Sequence, residues 1–358
     1  MRALITGITG QDGPYLAQHL AASGWEVHGM VRGQPSAKWD EAKRLVPGLS
    51  LVSGDLLDQS SLNLVLRETA PTVVFNLAAL SFVPASFRQP ALTAGVTGLG
   101  CLRLLEAIRE VDPGIALVQA SSSEMYGNVP DSPQHETTRF CPASPYATAK
   151  VFAHDTVVNY RESYGLRASN AIMFNHESPR RGTEFVTRKI SRAVARIKAG
   201  RQDELVLGRL DTRRDWGWAP DYMRALRLIA EAPDPGDYVI ATGESRTVLE
   251  FAEAAFAVAD LDCYEYLRSD PALFRPADVT ALEGDASKAA SVLGWKPSVP
   301  FARIVNAMVV ADLEAEGART GAAAPAATSP PPSSTSAARS PRTSLSPARR
   351  YRRLTRCG

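Results

Sequence analysis

Residues 2–23 read Arg2-Ala3-Leu4-Ile5-Thr6-Gly7-Ile8-Thr9-Gly10-Gln11-Asp12-Gly13-Pro14-Tyr15-Leu16-Ala17-Gln18-His19-Leu20-Ala21-Ala22-Ser23. An apolar run of strand length meets a turn holding three glycines, and an amphipathic helix follows from Pro14 to Ser23. Gly7 permits the tight turn, and Gly10 lets backbone approach a pyrophosphate. Gly13 lets helix and strand pack closely, with the helix N-terminus facing the anion. Three glycines alone often mean only a loop. The strand before them and the helix after them make a dinucleotide-binding turn the stronger reading.

Outward from that turn, strand patterns recur at Glu26 to Val31, Leu49 to Ser53, Thr72 to Asn76, Ile115 to Ala120 and Ala168 to Met173, with helical patterns between them. This alternation predicts a Rossmann-type, doubly wound parallel sheet of the α/β class. In such sheets ligands bind beyond the carboxyl ends of the strands. An acid usually ends the second strand where NAD is bound. Here Val31-Arg32 stands there, and a guanidinium suits a 2′-phosphate, which favours NADP. Asp55, after the third strand, is placed either to meet adenine or to cap the next helix. The run Leu77, Ala78 and Ala79, after the fourth, leaves space for a cofactor, although small core packing is equally expected of it.

The fifth strand runs into Ser121-Ser122-Ser123-Glu124-Met125-Tyr126-Gly127. A polar loop then leads to Ser144-Pro145-Tyr146-Ala147-Thr148-Ala149-Lys150. Tyr146 and Lys150 fall one helical turn apart on one face. An ammonium beside a phenol favours the phenolate, so this pair is a candidate base. Glu124 is a second proton-transfer group. Its alternative is a capping or surface glutamate.

After residue 175 the regular alternation breaks down. Short strands near Leu205 to Leu207 and Tyr238 to Ala241 sit among helices from Thr187 to Ala199, Pro220 to Ala232 and Val248 to Ala259, with closing helices at Ser287 to Leu293 and Phe301 to Glu316. Arginines in the intervening loops, among them Arg213, Arg214 and Arg275, suit a phosphorylated substrate, although solvated surface arginine explains most such residues singly. Three regions follow: 1–175, a dinucleotide-binding domain that carries the catalytic groups; 176–316, mainly a smaller mixed α/β substrate lobe from which some segments return to the first domain; and 317–358, an Ala/Pro/Ser/Arg tail expected to be disordered.

The chain has 358 residues and a formal net charge of +2. Eight arginines and no acid lie in 317–358, so residues 1–316 carry a net −6. The basic excess belongs to the tail and gives no reason to expect nucleic-acid binding by the folded part. Four widely spaced cysteines form neither a C-x-x-C pair nor a Cys/His cluster, so neither a disulfide framework nor a metal site is indicated. A strand begins at once at the N-terminus, and no apolar run suggests a membrane span. A cytoplasmic enzyme is the expectation.

The runs Gly7 to Gly13, Ser121 to Gly127, Val158 to Gly165, Phe174 to Arg181, Arg214 to Gly217 and Phe274 to Ala277 resemble the extended short-chain dehydrogenase/reductase family and, within it, the GDP-mannose 4,6-dehydratases. The likeness covers Met1 to about Glu316. It implies an internal NADP(H) redox cycle on GDP-mannose, with Ser122, Glu124, Tyr146 and Lys150 catalytic. It implies cofactor contacts from Gly7, Thr9, Gly10, Gln11, Asp12, Gly13, Arg32, Asp55, Leu56, Leu77, Ala78, Ala79, Tyr146, Lys150, His176 and Arg181. Substrate contacts fall on Ser81, Ser86, Glu124, Asn175, Lys189, Arg214, Arg275 and Asp278. A homodimer or homotetramer is implied as well. The family's usual Arg-Arg pair after the second strand is Arg32-Gly33 here, its usual asparagine after Gly208 is Arg209, and its usual glutamate is Asp278. A 4-keto-sugar reductase of the same fold, or a dehydratase for another nucleotide sugar, is the alternative reading.

Overall fold

The structure is a computed structural model and describes residues 1–274 and 277–322. Arg275 and the segment 323–358, which includes most of the expected tail, lie outside the described residues. The last helix, Phe301–Ala322, runs past the expected boundary at Gly317.

Strands β1 (Arg2–Thr6), β2 (Glu26–Val31), β3 (Ser50–Ser53), β4 (Val73–Asn76), β5 (Ala116–Ser122) and β6 (Ala168–Met173) form one parallel sheet. Three short strands follow in the chain: β7 (Asn175–Glu177), β8 (Leu205–Leu207) and β9 (Arg213–Trp218). β10 (Asp237–Ile240) then returns to the first sheet beside β6. The seven-stranded order is β10-β6-β5-β4-β1-β2-β3. The order reverses at β1 and β4, the switch point where such sheets open a ligand crevice.

A buried polar chain pins that point. Thr6 donates its hydroxyl to Asn76 Oδ1 at 2.7 Å, Asn76 Nδ2 donates to Gln119 Oε1 at 2.6 Å, and Ala78 N donates back to Thr6 Oγ1 at 3.1 Å. With these groups satisfied, the carboxyl ends of β1, β4 and β5 keep their register without an unpaired polar atom. Gly13 makes the close approach expected of it, since a Cβ there would lie 2.5 Å from Ile8 Cα. Gly7 has φ +71°, and its Cβ would lie 2.9 Å from Ala78 N, so both turn and neighbouring loop require glycine.

Strands β11 (Ser245–Thr247), β12 (Leu267–Ser269) and β13 (Ala281–Leu282) complete the set. β9 pairs with β7, β11 and β13, and β8 pairs with β12. Arg213 and Arg214 therefore sit on a strand, where the sequence pattern predicts a loop. The polar run Arg213-Arg214-Asp215 lacks apolar alternation, yet partners distant in the chain hold it extended.

The helical run Pro90–Val111 has the length and apolar content of a membrane span, contrary to expectation. More than half of its apolar window, 56%, is buried inside the protein, where Leu104, Leu105 and Ile108 are fully covered. Packing against Gln59–Thr69 and Pro145–Tyr164 accounts for its apolar surface.

Candidate active site

Two clefts open at the carboxyl ends of the first sheet. The larger, about 940 Å³, is lined by Gly7, Thr9, Gly10, Gln11 and Asp12 of the glycine turn, by Arg32, by Asp55 and Leu56, and by Leu77, Ala78 and Ala79. A Cβ at Gly10 would meet only Gly7 O, at 3.3 Å, so the rest of its space is open. The volume and this open turn fit a dinucleotide. Arg32 is exposed at the end of β2, and Lys38, which sequence reasoning missed, lines the same cleft. Asp55 Oδ1 accepts from Leu57 N at 3.0 Å, whereas the cap of helix Gln59–Thr69 is Asp58. Gly13 is buried behind the turn.

The smaller cleft, about 460 Å³, brings together Ser122, Glu124, Tyr146 and Lys150. Ser122 ends β5, and its hydroxyl accepts from Glu124 N at 3.3 Å in the short turn Ser123–Met125. Ser144 caps the helix Pro145–Tyr164 by accepting from Ala147 N at 3.1 Å. That cap starts the helix early enough to place Tyr146 and Lys150 on its first turns. Tyr146 and Ser122 line the same cleft, and Lys150 Nζ donates to Ala120 O.

The phenol does not follow the expected direction. Burial pushes Tyr146 up to about 12, with the Glu124 and Asp12 carboxylates adding to it and the Ser122 hydroxyl and Arg181 opposing. Burial also pulls Lys150 down to about 8. The Lys150 ammonium lies 5.8 Å from the Tyr146 ring centroid and gives one of its three N–H groups to the Ala120 carbonyl. Desolvation outweighs the charge effect read from spacing alone.

Glu124 Oε1 lies 4.0 Å from Arg214 Nε. Arg214 is buried, and its Nη1 donates to Arg213 O and Val279 O, both at 2.9 Å. The next residue fixes this strand: the Asp215 carboxylate accepts from Thr242 N and Gly243 N, each at 2.9 Å. Burial raises Asp215 to about 6 against those bonds.

Ser81, Asn175, Lys189 and Asp278 line the same cleft, as do His176 and Arg181. Arg181 lines both clefts. Ser86 does not line either one. It is buried in the helix Val83–Arg88 with its hydroxyl donated to Val83 O at 2.7 Å, so its one donor is taken up within the helix. Arg275 lies outside the described residues. Phe82, Phe185, Thr212 and Trp216 also line the smaller cleft. Nothing in local pattern marked these four. Among the described residues no cluster of His, Cys, Asp and Glu could hold a metal.

The sheet order, the glycine turn and the Ser-Tyr-Lys cleft define a Rossmann-type short-chain dehydrogenase/reductase. The chain belongs to the GDP-mannose 4,6-dehydratase family, whose sequence profile matches residues 4–308. It is 49% identical over 324 residues to GDP-mannose 4,6 dehydratase 1 of Arabidopsis thaliana, covering 87% of this chain and 90% of that one. It is 44% identical over 339 residues to human GDP-mannose 4,6 dehydratase, covering 87% and 91%. Among solved structures it resembles RMD from Pseudomonas aeruginosa complexed with NADPH, with a TM-score of 0.75 and 26% identity over 88% of this chain and 99% of that one.

Proposed function

We propose that this chain converts GDP-mannose to GDP-4-keto-6-deoxy-mannose and water in a closed NADP(H) cycle. Family membership supports the substrate and the reaction. The observation that carries the reading is the carboxylate of Glu124 sharing one cleft with Ser122, Tyr146 and Lys150. A reductase of this fold needs the serine, tyrosine and lysine, but no second acid–base group.

Bound NADP would supply the hydride acceptor for sugar C4 and, once reduced, the hydride donor for C6. Tyr146 removes the proton of the 4-hydroxyl, and Ser122 hydrogen-bonds the same oxygen. Lys150 holds the nicotinamide ribose. Once C4 is a ketone, the C5 proton is acidic; Glu124 takes it and gives it to the C6 hydroxyl, so that the C6–O bond breaks and the oxygen leaves as water. Arg214, beside Glu124, together with Asn175, Lys189 and Asp278, holds the GDP-sugar. Arg32 and Lys38 face the 2′-phosphate from the larger cleft.

The two-lobe division fits this reading, because β7, β9, β11 and β13 lie in a separate sheet while β10 returns to the first. Self-association is part of the proposal. Leu99 and Phe152 are exposed apolar residues on neighbouring helices, with Phe152 within 3.4 Å of a Cβ built on Gly98. Sedimentation velocity should return a dimer or tetramer, and a monomer at micromolar concentration would refute that part.

The test of activity supplies GDP-mannose with NADP in trace amount. The expected result is a 4-keto product formed over many turnovers with no net change in reduced cofactor. Stoichiometric consumption of NADPH on a 4-keto sugar would make the protein a reductase. Preferential turnover of a UDP-, dTDP- or CDP-sugar would move the substrate assignment.

A further inference from the structure

His176 is buried, and both nitrogens of its ring face oxygen acceptors. Nδ1 lies 2.8 Å from the Phe174 carbonyl oxygen and Nε2 lies 3.0 Å from Asp12 Oδ2. A neutral imidazole has one N–H, so one of these contacts would set a lone pair against an oxygen lone pair. Only the imidazolium donates in both directions. Asp12 and His176 are 164 positions apart, one in the glycine turn and the other just beyond β6.

Gln11 doubles the tie. Its Nε2 donates to His176 O at 3.1 Å, and its Oε1 accepts from the Ser178 hydroxyl at 2.9 Å. The glycine turn therefore grips the segment 174–178 through two adjacent side chains. That segment places Asn175 in the smaller cleft and leads directly to Arg181, which lines both.

We infer that Asp12 is a positioning residue that holds His176 as an imidazolium, and that this clamp fixes the Asn175–Arg181 segment across both clefts. The inference goes beyond the proposed reaction and rests on it only for the cofactor named in the binding measurement. Asp12, Arg181, Glu177 and Tyr222 are the titratable groups that face the ring. Tyr222 stacks on it at 4.8 Å, and Arg181 Nε lies 3.3 Å from Glu177 Oε2. The Asp12 carboxylate also acts on Lys150 and Tyr146, raising both.

Burial alone would lower the pKa of His176, but the Asp12 carboxylate outweighs it and raises the ring above the usual histidine value. Burial would raise Asp12, but His176 and Arg181 outweigh that and lower it. With the folded pKa of His176 raised, its contribution to stability is fully present below the ordinary histidine value and is lost as pH rises through the folded value. Above that value one donor disappears and the clamp opens on one side.

Asp12→Asn separates charge from geometry. An asparagine amide can donate to Nε2 of a neutral ring while Nδ1–H still donates to Phe174 O. Nitrogen-15 spectra of histidine-labelled protein, with His176→Gln identifying its signal among five histidines, report the ring directly in the protein alone. The wild type should show two protonated ring nitrogens at a pH where an exposed histidine is neutral. Asp12→Asn should show one, titrating at lower pH. NADP affinity, measured by fluorescence, should weaken several-fold as the wild-type ring loses its proton. The Asp12→Asn protein should lack that limb while keeping any limb due to Lys150. A wild-type ring that is singly protonated at neutral pH, or a titration unchanged by Asp12→Asn, overturns the inference. Because the ring state is read without substrate, that failure is distinct from absence of dehydratase turnover.

Discussion

Glu124→Gln should stop the elimination and leave the first oxidation running. The glutamine keeps the size of the side chain and its place in the turn Ser123–Met125, but it cannot accept the C5 proton. Positioned general bases contribute about 10²–10⁴-fold, so steady-state turnover should fall by a factor in that range. The larger cleft is formed without Glu124, so NADP affinity should stay within about threefold. Two further readouts separate this from a general loss of fit. A single turnover in heavy water should show no deuterium at C5, because no group is left to exchange that proton. The same turnover should still build up reduced cofactor, seen in its near-ultraviolet absorbance, because Tyr146 and Lys150 are untouched. Unchanged turnover would return Glu124 to its alternative role as a surface or capping glutamate. Loss of the reduced-cofactor signal would mean that Glu124 serves the oxidation as well.

The parts of this site legible in the sequence are those set by local spacing. The glycine turn, the strand end at Ser122 and the pair Tyr146/Lys150 each depend on neighbours within a few residues, and sequence pattern carries that information directly. The parts that were not legible depend on contacts between distant segments. Arg213–Trp218 reads as a polar loop because its register comes from β7, β11 and β13 rather than from its own residues. Arg214 becomes a buried group beside Glu124 only because Val279 and Arg213 supply carbonyl acceptors. Gln11 and Asp12 read as lining for a cofactor, and they do line that cleft, but their side-chain bonds go to His176 and Ser178. Ser86 shows the opposite failure. It matches by position, yet the helix it belongs to turns its hydroxyl onto Val83. The charge argument for Tyr146 failed for a related reason: spacing reveals proximity but not desolvation, and here burial is the first cause of the shift in both partners.

That shift bears on the second large effect. A phenol at about 12 is protonated at neutral pH in the protein alone, so Tyr146 has to release that proton to solvent before it takes the proton of the sugar 4-hydroxyl. Tyr146 and Ser122 line the same cleft, and Ser122 opposes the upward shift of the phenol. Tyr146→Phe deletes the group that takes the 4-hydroxyl proton. Turnover should fall by about 10²–10⁴-fold, and unlike Glu124→Gln it should abolish the single-turnover reduction of cofactor. Ser122→Ala removes one neutral hydrogen bond, worth about 0.5–1.5 kcal/mol, and should cost about two- to tenfold. The two large effects lie on successive steps, so they should not multiply. A Tyr146→Phe/Glu124→Gln protein should be about as slow as the slower single variant, since the C5 proton becomes acidic only after C4 is oxidised. Full multiplication of the two losses would mean that both groups act in one transition state, and the division of labour between oxidation and elimination would have to be abandoned.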